Sequence, residues 1–113
     1  MAAYVSNIVI DIGADFEQVF NLEDNSNSPL DLSNYSASSI IKKHPASSKV
    51  SALFNVSFPN PTLGQLKISL GSSITSSLKS GRYCYDILVN DGLVKTRVVE
   101  GSAIVTAGVT TNI

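Results

Sequence analysis

The chain has 113 residues, a formal charge of −1, one cysteine and 15% charged residues against 43% hydrophobic ones, where soluble domains usually carry about 25% charge. That length predicts one domain, residues 1–113, able to bury roughly two thirds of its unfolded surface; a lone Cys84 excludes an internal disulfide and any cysteine metal framework. The near-zero charge, with scattered basic residues, argues against nucleic acid as a partner.

Met1 to Asn7 holds neither a basic cluster nor a long apolar run, and no segment approaches the apolar length of a membrane span. Cytoplasmic synthesis without membrane contact is therefore expected. The first strand is expected over Val5 to Ile12, around Ile8-Val9-Ile10. A second runs from Asp15 to Glu23, with Phe16, Gln18, Phe20 and Leu22 on one face. Asp24 to Pro29 is dense in turn formers. Tyr35, Ala37, Ser39 and Ile41 alternate along a third strand that ends at Lys42-Lys43-His44-Pro45. Val50, Ala52, Phe54, Val56 and Phe58 form the cleanest inward face, with Phe54, Val56 and Phe58 expected in the core.

Gly64 introduces a further strand with Leu66, Ile68 and Leu70 inward. The stretch 71–80 can hold one helical turn, with Ile74 and Leu78 four apart and Ser72 or Ser73 as its cap. Arg82 to Asn90 and Leu93 to Glu100 read as a hairpin closed by Asp91-Gly92, which tolerates the positive φ of a tight two-residue turn. Gly101 is expected to mark a bulge before Ser102 to Thr106. About seven short strands at this spacing predict an all-β, antiparallel sandwich.

Tyr83, two residues after Gly81 at the start of a late strand, fits a tyrosine corner, whose hydroxyl bonds backbone a few residues upstream. A ligand platform built from Tyr83 and Tyr85 would need a second aromatic wall that the sequence does not show. Asp11, Asp15, Glu23, Asp24 and Asp31 gather acid in the N-terminal third, but the loop lacks the glycine and closing glutamate of an EF-hand, so turn and capping roles are expected. Cys84 and His44 are single members of their types, with Cys84 mid-strand and His44 at a loop edge. No Gly-x-Ser-x-Gly elbow or phosphate-binding loop is present. The expectation is no enzyme, no cofactor and no metal, with Tyr83, Phe54, Phe58, Asp91 and Gly92 as structural residues.

The ordered set Asp15-Phe16, Phe20 to Asp24, Pro29 to Tyr35, Gly64 to Ile68, Gly81 to Asp86 and Val99-Glu100-Gly101 resembles small structural proteins of tailed phages and prophages. These look like the immunoglobulin-like domain at the N-terminus of baseplate upper proteins. The resemblance implies an immunoglobulin-like sandwich and a virion structural role in tail, baseplate, neck or capsid. It also implies other virion proteins and further copies of itself as partners; with so few charges, such contacts are expected to be rich in Ser, Thr and Asn, with apolar centres such as Val5, Ile8 or Val109. The alternative is a carbohydrate-binding or host-adhesion module, against which the lack of tryptophan argues.

Overall fold

In the computed structural model, which describes residues 4–24 and 26–109, two β-sheets face each other across a hydrophobic core. The larger contains β1 (Tyr4–Val5), β2 (Ile8–Asp11), β4 (Ser36–Lys42), β5 (Ala52–Leu53), β8 (Gly81–Asn90) and β9 (Lys95–Thr106). The smaller contains β3 (Phe16–Asn21), β6 (Asn55–Ser57) and β7 (Gln65–Leu70), in the order β3-β7-β6. The all-β expectation stands. The extra segments arise where two of the expected extended runs are each divided in two.

The first run is divided at Ser6 and Asn7. β1 and β2 keep a single register against β9, with Val5 opposite Glu100 and Ile8 opposite Ala103. Both pair parallel to β9, which corrects the expectation of purely antiparallel structure. Between them, side chains stand in for part of the ladder. The Ser102 amide donates to Oδ1 of Asn7 at 3.0 Å, and the Tyr85 hydroxyl donates to the Ser6 carbonyl at 2.6 Å. Gly101 lies beside this break, where an added Cβ would stand 2.2 Å from the Ser6 carbonyl oxygen. Its role is close approach, not the bulge expected from sequence. The irregularity falls earlier, where Ile87 pairs with Val99 but Leu88 pairs with Arg97. Val98 is the extra residue, so Val98 and Val99 are both buried although adjacent.

The second divided run is 52–58. β5 pairs with β4 in the larger sheet, whereas β6 pairs with β7 in the smaller, so the chain changes sheets at Phe54. Phe54 is buried and touches both sides: its ring centroid lies 6.0 Å from that of Phe16 and 6.1 Å from that of Tyr85. Val56 and Phe58 are only partly buried against the core, and Val50 is exposed, which corrects the continuous inward face read from alternation. Past the change of sheet, Val56 sits on the short β6 at the rim of the smaller sheet and Phe58 just beyond its end.

The single helical turn, α1 (Ser72–Thr75), has Gly71 at its N-cap and no cap from its own side chains. Asp15 caps it from across the fold, its carboxylate accepting from the Ser72 amide at 2.7 Å. Leu78 is buried, but Ile74 is exposed and Thr75 takes the inward place. The Thr75 hydroxyl accepts from the Gly13 amide at 3.1 Å and reaches the Ala14 carbonyl at 2.9 Å. No helix among the described residues is long and apolar enough to cross a membrane.

Candidate functional site

Period-two alternation sends one set of side chains from the larger sheet into the core and the other outward. The outward set is where this chain presents chemistry. The registers align one row across five strands: Leu53, Ile40, Asp86, Glu100 and Val5. Lys42 and Cys84 lie in the neighbouring row on one side, Leu88 and Arg97 on the other. Val5, Ile40, Lys42, Cys84, Asp86, Arg97 and Glu100 help line an open depression of about 590 Å³.

Charge at the centre of this face is paired. Nε of Arg97 donates to Asp86 Oδ2 at 3.0 Å, and its Nη1 stands 4.0 Å from Glu100 Oε2. All three are partly exposed, so water screens the pairs and their stabilising contribution is small. Cys84 is half-buried and its thiol points to the Lys42 carbonyl at 3.3 Å. At the rim, Leu53 and Val5 are each 69% exposed, and Val9 is 58% exposed on the same face. Ile8, expected as a contact centre, is instead buried in the core at 4%. Its side chain and that of Ile10 point inward, which leaves Val9 as the outward member. Val109 is exposed beyond the end of β9.

Most of the other residues singled out from sequence lie apart from this depression, at whose lining Tyr85 and Gly101 also stand. Tyr83 is buried, its hydroxyl donating to the Lys79 carbonyl four residues upstream at 2.8 Å, and the Lys43 ammonium sits 4.5 Å from its ring centroid. Tyr85 is also buried, so neither ring forms a platform. Asp91 and Gly92 belong to a loop of four residues, since β9 begins only at Lys95. That corrects the two-residue turn. Oδ1 of Asp91 accepts from the amides of Leu93 and Val94 at 2.9 and 2.8 Å, Asn90 Oδ1 accepts from Gly92, and Gly92 has φ of 100°. The Val94 and then the Leu93 amide hold the Asp91 carboxyl below the usual aspartate range.

The acidic residues of the N-terminal third are dispersed into local roles. Asp24 Oδ1 accepts from the amides of Ser26 and Ser28, and Asp31 Oδ1 from the hydroxyl and amide of Ser33, which lower the Asp31 carboxyl's pKa in that order. Asp11 accepts from the Thr106 hydroxyl at 2.7 Å. Among the described residues no three His, Cys, Asp or Glu side chains gather as metal ligands would. His44 is exposed in the turn after β4.

No family model matches the chain, and no curated protein matches it. Among solved structures it is similar to a family 123 glycoside hydrolase from Clostridium perfringens, described for the details of its glycolipid glycan hydrolysis. The identity is 14% and the TM-score 0.40, over 93% of this chain and 23% of that one. The expectation of no enzyme drawn from sequence is not kept against this match, and no activity is assigned in its place. A likeness this remote carries no argument about activity and assigns no residue a catalytic role.

Proposed function

We propose that this chain is an immunoglobulin-like domain that serves as a structural subunit of a tailed-phage particle. It packs against other particle proteins through the outward face of its larger sheet. The observation that carries the reading is the exposure of Leu53, Val5 and Val9 on that one face, around a centre where Arg97 pairs with both Asp86 and Glu100. Apolar side chains held in water around such a paired polar centre suit burial against another protein, because the central carboxylates would enter the contact already paired with Arg97.

The immunoglobulin-like part is supported by strand order. With β1–β2 counted as one strand and β5–β6 as another, the second, the fifth and the β6 half of the fourth share one sheet and the third, sixth and seventh the other, as in that architecture, while the first strand and the β5 half of the fourth lie on the second of these sheets. The phage part is supported by the sequence resemblance, which runs over nearly the whole chain.

The test uses purified particles and the outward face together. The chain is expected in such particles by mass spectrometry, and Leu53→Glu or Val9→Glu is expected to reduce its incorporation. Both side chains are already solvated, so the thermal midpoint of the isolated domain should stay unchanged. Absence from particles, combined with glycan binding by the isolated domain, would replace this reading with a carbohydrate-binding module.

A further inference from the structure

We propose that two copies of the chain join by antiparallel pairing of their β3 strands, making one continuous sheet across a two-fold axis centred on Val19. β3 pairs with β7 on one side, and among the described residues no strand lies along its other edge. The Leu22 amide donates to the Gly64 carbonyl at 2.8 Å, the next rung of the β3–β7 ladder. Two-residue alternation then directs the backbone groups of Glu17, Val19 and Asn21 to the open edge. The Val19 carbonyl is met there by the side-chain amide of its neighbour Gln18, at 3.2 Å, a stand-in for a ladder partner.

The other edges are blunted. β5 has two residues, β6 has three and is soon followed by Pro59, and the β1–β2 edge is interrupted at Ser6 and Asn7. β3 runs six residues without Pro, Lys or bulge, and of the devices that keep an edge from pairing it carries only one charge, Glu17. Beyond Asn21 the chain continues into the bridge of Glu23 with Pro29, where the Leu30 amide donates to the Leu22 carbonyl on the side away from the open edge.

The occupant that fits is a second copy. Glu17 is the strand's one charge. A two-fold at Val19 sets Glu17 opposite Asn21 of the second copy, and Val19, 42% exposed, opposite its own counterpart. The same parity faces edge-directed residues with edge-directed residues, so each of these pairs exchanges backbone hydrogen bonds. Parallel pairing in register would place Glu17 against Glu17. The outward face of the larger sheet is left free, so this association is independent of the packing proposed above.

Sedimentation of the isolated full chain at micromolar concentration and above should show a dimer. The amides of Glu17, Val19 and Asn21 should exchange with solvent more slowly there than after dilution to monomer. Val19→Pro removes the central donor at an edge position where proline is tolerated, and is expected to give a folded monomer. If that variant fails to fold, Asn21→Asp serves, setting two carboxylate pairs across the axis. It should weaken the dimer about 2- to 30-fold, with partial recovery in high salt. A strictly monomeric wild-type chain, a Val19→Pro dimer as tight as wild type, or an edge protected only on adding a different particle protein would each overturn the proposal. None of these outcomes would bear on whether the chain is found in particles.

Discussion

At the scale of single residues, the two buried tyrosines do similar work over different distances. Tyr83 holds the carbonyl of Lys79, and Tyr85 that of Ser6, 79 residues away in sequence. Tyr83→Phe is expected to cost about 1 kcal/mol, because the ring stays packed while one buried hydrogen bond to backbone is lost; a denaturant melt measures it, and an unchanged midpoint would contradict the corner role. Gly101→Ala is expected to cost about 2 to 3 kcal/mol, since its methyl would collide with the Ser6 carbonyl and push the parallel strand away. The first change acts on the segment just ahead of β8, the second on the join between β1 and β9.

Asp91 offers a test by titration. Its carboxyl is held below the ordinary aspartate range in the folded loop by the Val94 and Leu93 amides. A lowered folded value means that the loop's stabilisation is present above the unfolded pKa and lost as pH falls through the folded one. Chemical-shift titration should place Asp91 below an unstructured aspartate, with the Leu93 and Val94 amides shifting in the same acid step. A value at or above the unstructured one would show that these hydrogen bonds do not form in solution.

At the scale of elements, what was legible in the sequence was what local pattern determines. Alternation in Leu66, Ile68 and Leu70, and in Tyr83, Tyr85, Ile87 and Val89, gave the inward faces of β7 and β8, because a strand's two faces are set by its own period. The upstream partner of Tyr83 lies only four residues away. The partner of Tyr85 depends on where β1 docks, and nothing local to either residue records that. The same limit applies to 52–58, where one unbroken alternation crosses between two sheets, so equal-looking positions meet different depths of core. Phe54→Ala should cost about 3 to 5 kcal/mol, as the ring between Phe16 and Tyr85 would leave a cavity. Phe58→Ala, at a partly buried rim, should cost clearly less. Equal losses in thermal or denaturant melts would mean that the crossing at Phe54 is misplaced. The depression on the outer face was not legible either, since Leu53, Ile40, Asp86, Glu100 and Val5 come together only through registers between distant strands.

At the scale of the whole molecule, the described core is filled from both sheets and bridged by Phe54, while the larger sheet keeps apolar residues in water on its far side. That asymmetry is the basis for reading the chain as a subunit that packs. Lys42 and Lys95 stand on strands of the larger sheet and point outward, whereas Lys67 stands on the smaller sheet, 3.7 Å from Glu17. Amine-reactive cross-linking of purified phage particles, read by mass spectrometry, therefore tests the central claim directly. The account predicts that the chain is present and that Lys42 or Lys95 is linked to other particle proteins; a chain absent from the particles, or linked to them through Lys67 alone, would contradict it.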